Sequence, residues 1–231
     1  MKYVQITPDI YPSEESSKKK SFTLQKFLTQ SSYKTDLKHI ICRNKLIEKK
    51  ELELIAVQLS RSINQKVILH TQGNFEEFLQ GPTVSLIDQI EKPFLDYVEG
   101  LHITSSDLLK LDKEHIQFFR KNKYFTDKDG KVGASVIGAS CHNIRELEAA
   151  ANLNLDYCLL GPIRQKYKSS TPLGWKNFNS LASDVSIPVY ALGGLSILDT
   201  EDAKKNNAYG IAGISMSVSY THLTLPTTPY V

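Results

Sequence analysis

The chain has 231 residues, 41% hydrophobic and 23% charged, a balance suited to one soluble globular domain with one large core. A net charge of +3, with no dense basic run interleaved with aromatics, argues against a nucleic-acid partner. Cys42, Cys141 and Cys158 lie far apart without metal-ligand spacing and read as reduced thiols of a cytoplasmic protein; with no leader-like segment and no apolar stretch of about 18 residues, neither secretion nor membrane spanning is expected.

In chain order, apolar runs at 3–6, 37–42, 67–69, 100–103, 136–139, 157–160, 188–192 and 210–214 predict strands. Helical periodicity lies between them, as at 51–59 and at 143–151, where Ile144, Leu147 and Ala151 share a face. Strands alternating with helices predict a parallel sheet. Their number predicts closure into a TIM (β/α)8 barrel, a fold of about 200–250 residues; an open doubly wound sheet is the alternative. Lys18-Lys19-Lys20 reads as a solvated helix start, and 127–131 as a polar turn in the longest connection. Residues 218–231 carry no helical period and no acidic or basic side chain. They are expected to be a tail foreign to the fold. The barrel is therefore expected over 1–217, with the helix covering the last strand incomplete or replaced.

Chemistry in such a barrel belongs at the C-terminal ends of the strands. Strand two ends at Arg43-Asn44-Lys45, where two cations suit a diphosphate, or simply line a solvated loop. Strand three ends at His70-Thr71; His70 is either a polar ligand contact or a loop histidine. After strand four, Asp107 is either a Mg²⁺ ligand or the cap of a helix beginning near Leu108, and His102 falls among the inward-facing positions. Strand five ends at Ser140-Cys141-His142. Ser140 is placed to donate to a phosphate or carbonyl and His142 to move a proton, which makes them the catalytic candidates; the alternative for His142 is a helix N-terminal residue with no ligand. The segment 164–171, with Lys166 and Lys168, is basic and has the character of a lid over an anion. Strand seven runs into Gly193-Gly194, and strand eight ends at Ile214-Ser215. Adjacent glycines let backbone approach an anion, so Gly193-Gly194 together with the end of strand eight is the expected phosphate cup, or else a tight strand-to-helix turn with no ligand.

Several of these segments carry a resemblance: Tyr3-Val4-Gln5-Ile6-Thr7, Gly138-Ala139-Ser140-Cys141-His142, Asp156-Tyr157-Cys158-Leu159-Leu160-Gly161-Pro162-Ile163, Pro188-Val189-Tyr190-Ala191-Leu192-Gly193-Gly194 and Gly210-Ile211-Ala212-Gly213-Ile214-Ser215. Together they resemble the thiamine phosphate synthase family, which includes the thiazole tautomerases. Leu101-His102-Ile103-Thr104-Ser105 and Leu173-Gly174-Trp175 add a likeness to the synthase-like barrels often fused to Nudix hydrolase domains. The resemblance implies a TIM barrel of thiamine biosynthesis. Such a barrel joins hydroxymethylpyrimidine diphosphate to thiazole phosphate and releases diphosphate. Arg43, Lys45 and Ser140 would hold the diphosphate and Asp107 a Mg²⁺ cofactor. Gly194, Ile214 and Ser215 would hold the thiazole phosphate, and in tautomerases His142 would shuttle the proton.

The chain departs from that pattern at three places. Ile41 stands where the family has Gln, and His70-Thr71 where it has Asn-Asp, the Asp being a metal ligand. Lys166-Tyr167-Lys168-Ser169 replaces its Thr-x-Thr-Lys loop, with Lys166 or Lys168 a candidate substitute for the missing Lys. Three functions are compatible with this: a synthase with a modified metal site, a metal-independent thiazole tautomerase using His142, and a non-catalytic phosphate-binding barrel. In each the partner is a small phosphorylated molecule. Homo-oligomerisation stays open.

Overall fold

The computed structural model describes residues 1–11, 22–23, 37–87, 90, 92–121, 123–126, 132–133, 135–164 and 171–214. Eight parallel strands close into a barrel: β1 (Lys2–Ile6), β2 (Leu37–Cys42), β3 (Val67–His70), β4 (Val98–Ile103), β5 (Val136–Cys141), β6 (Tyr157–Leu160), β7 (Val189–Leu192) and β8 (Gly210–Gly213). Each strand pairs with its neighbour in sequence, and β1 pairs with β8, Lys2 opposite Gly210. The TIM-barrel expectation holds. Ile10–Tyr11 and Phe22–Thr23 form a separate parallel pair outside the barrel.

Continuous apolar runs form these strands because both faces are covered. Val4, Ile41, Ile68, Leu159 and Ala212 pack together inside the barrel, while Ile40, Leu69, Leu101, Ile137, Leu160, Ala191 and Ile211 belong to the larger core beneath the helices. On β3 all four residues are buried, alternate side chains facing opposite ways. The strand β4 begins earlier than its apolar run suggests. A register shift between Val67 and Ile68 leaves Glu99 in an irregularity, and its Oε1 lies 2.8 Å from His39 Nδ1.

The helix α1 (Lys49–Ile63) buries Leu52, Ile55, Ala56 and Leu59, the i, i+3, i+4, i+7 stripe of an amphipathic helix. It stops at Asn64, whose left-handed φ of 52° lets its N–H reach Ser60 O. The fully buried Glu53 on this helix accepts a short hydrogen bond from the Tyr124 hydroxyl and one from Thr83 N–H at 3.1 Å, and lies 3.4 Å from Lys49 Nζ. That carboxylate ties two later loops to α1. The shorter helices of the strand-three and strand-four connections are α2 (Phe75–Leu79), α3 (Val84–Ile87), α4 (Ser105–Leu108) and α5 (Lys113–Arg120). After β5, α6 (Ile144–Asn152) starts on Asn143, whose side chain accepts Glu146 N–H at 3.0 Å. Then come α7 (Gly174–Ser183) and α8 (Thr200–Lys205).

The seam between β1 and β8 is stitched by Gln5. Its amide nitrogen donates to Ile6 O at 2.8 Å and to Ile214 O at 2.9 Å. All three cysteines are free and buried, and burial pushes the Cys42 thiol up to about 12. Among the described residues no helix is long and apolar enough to cross a membrane. The basic run at 18–20, the turn at 127–131, Lys168, Ser215 and the expected tail at 218–231 all lie outside the described residues.

Candidate functional site

The C-terminal mouth of the barrel is organised first at β1 and β2. Thr7, fully buried, accepts Arg43 N–H at 2.9 Å and donates its hydroxyl proton to Arg43 O at 3.0 Å. Asp9 Oδ1 then accepts Lys45 N–H at 3.1 Å and lies 3.5 Å from Arg43 Nη1. Thr7 and Asp9 therefore shape the loop that presents both cations. Neither was given a role from the sequence, although both lie within three residues of the end of β1, where function is sought. Both cations act on His70. Burial, then the charges of Arg43 and Lys45, hold the His70 imidazole down to about 3, so it is neutral at neutral pH. Its Nδ1 accepts Gln72 N–H at 3.0 Å, which leaves its proton on Nε2.

Asp107 is not the helix cap. The cap is Thr104, whose Oγ1 accepts Asp107 N–H at 3.2 Å, and α4 starts at Ser105, earlier than expected. The Asp107 carboxylate is 3% exposed; its Oδ2 accepts the Thr71 hydroxyl at 3.2 Å, and its Oδ1 lies 4.0 Å from Lys110 Nζ. Where the resemblance leads one to expect a carboxylate pair, this chain thus has a hydroxyl and a carboxylate. Among the described residues no three His, Cys, Asp or Glu side chains come together in metal-binding reach. The donor set does not make a Mg²⁺ site on its own, since Mg²⁺ held by one carboxylate needs its other oxygens from water and substrate. Beside Thr71, between the start of α1 and α2, opens a cavity of about 390 Å³ lined also by Lys50, Gln72, Asn74 and Glu77.

Ser140 and His142 take different partners at the strand end. Ser140 faces inward, its Oγ 2.9 Å from His102 Nε2. His102 is buried on β4, its ring centroid 5.5 Å from that of His70, so the cationic corner and Ser140 are contiguous. Burial, with His70 nearby, pushes the His102 imidazole well below its ordinary value. His142 is exposed and donates from Nδ1 to Gly161 O at 2.7 Å, which leaves Nε2 as the unprotonated nitrogen of the neutral ring.

The glycine turn after β7 is built as expected. Gly193 has φ 108° and Gly194 φ 68°. Arg164 N–H donates to Gly193 O at 3.1 Å, and Arg164 Nη1 to Gly194 O at 3.2 Å. The Arg164 guanidinium also forms a close ion pair with the buried Asp199 carboxylate. Asp199 in turn accepts Ser196 N–H at 2.7 Å, closing a capping box at the start of the 3₁₀ turn Ile197–Asp199. The carbonyls of Gly194 and Ile214 accept from Arg164 and Gln5; an anion at this turn has to be met by N–H groups, since carbonyl oxygens only accept.

Residues 126–216 match the family model described as Thiamine monophosphate synthase. Over that segment the chain is similar to the thiamine phosphate synthase family. Over 119 residues the chain is 29% identical to the thiamine-phosphate synthase of Staphylococcus carnosus, an alignment covering 50% of this chain and 56% of the relative. Over 96 residues it is 31% identical to that of Chloroflexus aurantiacus, covering 40% and 44%. The chain thus spans about half the length of the curated relatives it matches. In fold it is similar to thiamine phosphate pyrophosphorylase from Pyrococcus furiosus, with TM-score 0.57 and 19% identity over 93% of this chain and 85% of that one. The matched segment 126–216 contains Ser140, His142 and the glycine turn. Arg43, Lys45, His70 and Asp107 precede it, in the half that holds two of the three departures from the pattern.

Proposed function

We propose that the barrel is a thiamine phosphate synthase-like transferase of thiamine biosynthesis, joining hydroxymethylpyrimidine diphosphate to thiazole phosphate with release of diphosphate. The observation that carries this reading is the corner at β2 and β3, where Arg43 and Lys45 stand near His70, kept neutral chiefly by burial and then by their charges, next to the inward-facing Ser140. A departing diphosphate needs such a group of fixed positive charge and hydrogen-bond donors in a site shielded from water. The bond from the pyrimidine methylene to the diphosphate oxygen breaks with its electron pair leaving on oxygen. The thiazole nitrogen lone pair then forms the new carbon–nitrogen bond. Arg43 and Lys45 take up the diphosphate charge, while the N–H groups around Gly193, Gly194, Ile214 and Ser215 hold the thiazole phosphate. Lys168 is the proposed lid contact. Mg²⁺ is the cofactor expected from the family; with Asp107 as the sole carboxylate, no step is assigned to it. The functional unit is the barrel over 1–217, working in the cytoplasm on small phosphorylated substrates.

A second reading, a metal-independent thiazole tautomerase, is favoured by the His142–Gly161 hydrogen bond, which holds the ring with Nε2 bare and ready to accept a proton. One assay separates the two. With both synthase substrates, diphosphate release coupled to thiamine phosphate formation, lost in Arg43→Ala, supports the synthase. No product from folded protein, together with chelator-resistant isomerisation of a thiazole phosphate carboxylate that is lost in His142→Ala, supports the tautomerase.

A further inference from the structure

The hydrogen bonds of Ser140 run inward along the barrel interior. Ser140 Oγ meets His102 Nε2 at 2.9 Å, and His102 Nδ1 meets the Tyr157 hydroxyl at 3.0 Å. Tyr157 is 1% exposed, and among the described residues His102 is the sole hydrogen-bond partner of its hydroxyl. A buried phenol has one proton to place. If it accepted from Nδ1–H, that proton would be left without a partner, an arrangement buried polar groups avoid. The phenol therefore donates to Nδ1. The neutral ring then carries its proton on Nε2, and Nε2–H donates to Ser140 Oγ. Ser140 Oγ is occupied as an acceptor, and its own proton is free for a ligand at the mouth.

The chain is shaped to hold Tyr157 in place. Gly138 stands opposite Tyr157 in the β5–β6 register, and a Cβ there would lie 2.1 Å from Tyr157 Cζ. His39 stacks on the ring at 5.3 Å and is itself held by Glu99 Oε1 at 2.8 Å, while Tyr190 packs edge-on at 5.9 Å. Tyr157 is thus clamped from three strands.

We infer that Tyr157, acting through His102, is a positioning residue that fixes the Ser140 hydroxyl as a hydrogen-bond donor to an anionic ligand and keeps it from serving as a nucleophile. The inference rests on the synthase reading for the identity of that ligand, a diphosphate. The tautomer itself is independent of any substrate. In a Ser–His pair set for nucleophilic attack, the imidazole accepts the serine proton; here the imidazole donates, so Ser140 binds and does not attack.

The test uses nitrogen-15 NMR of the histidines in the wild-type chain and titration with inorganic diphosphate. His102 is expected to show a bare Nδ1 and a protonated Nε2 through neutral pH. Ser140→Ala is expected to weaken diphosphate binding on the order of tenfold, the loss of one hydrogen bond to a charged group. Tyr157→Phe is expected to mix the two His102 tautomers and to weaken binding by a similar factor. Gly138→Ala, which displaces the ring without touching the site, is expected to do the same. A protonated Nδ1 in the wild-type protein, or unchanged diphosphate affinity in Ser140→Ala, overturns the inference and leaves the synthase reading standing. Wild-type protein that binds neither inorganic diphosphate nor inorganic phosphate overturns both.

Discussion

Thr71 donates its hydroxyl proton to Asp107 across the β3 and β4 loops, Oγ1 to Oδ2 at 3.2 Å, in a pocket where both side chains are buried. A neutral donor beside a single carboxylate fills the place of a carboxylate pair. Mg²⁺ added alone is therefore expected to bind weakly, and measurably only when inorganic diphosphate supplies further oxygens. Thr71→Asp is expected to tighten Mg²⁺ binding in the presence of diphosphate by about tenfold or more through the added ligand charge. It is also expected to lower metal-free stability, because two carboxylates then share one buried site. Calorimetric titration checks the first effect and urea unfolding the second. Equal Mg²⁺ affinity in the two proteins would contradict this account.

The neutral His70 makes stability acid-sensitive. Folded, it takes up a proton only near pH 3; unfolded, it does so near 6.5. Between those values the unfolded chain binds the extra proton, so the contribution is complete above about pH 6.5 and falls as pH drops. His70→Asn keeps an acceptor for Gln72 N–H and removes the titration. Between pH 6.5 and about pH 5 the wild-type chain should lose about 2 kcal/mol more stability than this variant. Urea unfolding at the two pH values reads the difference; identical acid losses would refute it.

Gly193 and Gly194 should respond unequally to the same substitution. A Cβ on Gly193 would meet Pro162 Cβ at 2.6 Å and Cα at 2.7 Å with φ at 108°, whereas one on Gly194 would meet only Arg164 side-chain atoms, the nearest at 3.0 Å. Gly193→Ala is expected to lower stability by about 3 kcal/mol and Gly194→Ala by about 1 kcal/mol. Thermal melts of the two variants check the order, and the reverse order would show that the turn is held by something other than this contact.

Glu53 is the buried charge on which α1, Thr83 and Tyr124 converge. Glu53→Ala leaves Lys49 without its carboxylate and should lower stability by about 3 kcal/mol. Tyr124→Phe removes one donor and leaves the carboxylate its other partners, so about 1–2 kcal/mol is expected. Denaturant midpoints rank the two, and a Tyr124→Phe effect as large as that of Glu53→Ala would mean the phenol, not the ion pair, carries the anchor.

Much of the barrel was legible because its strands are buried on both faces. The apolar runs at Leu37–Cys42 and Tyr157–Leu160 mark β2 and β6 directly. The start of β4 was not legible, because Glu99 interrupts the apolar pattern and is accommodated only by a register shift against β3. Arg43, Lys45, His70 and Ser140 could be placed at the mouth from strand ends alone. Thr104, not Asp107, caps α4 because the helix starts earlier than its first apolar residue suggests, and a single chain offers two capping residue types within that turn. The Tyr157–His102–Ser140 chain could not be read at all. It depends on Gly138 facing Tyr157 across the sheet, a pairing set by register and not by spacing in the sequence.

The Gln5 amide joins residues 209 positions apart when it reaches Ile214 O. A barrel sealed in this way has no partial version of its seam. A chain emerging amino end first must carry β1 with one edge unpaired until the last strand has been made. The interval between those events is when an exposed strand edge is open to wrong partners. Closure of the ring therefore has to wait for the eighth strand, and is the step at which a lagging or damaged eighth strand is felt throughout the barrel.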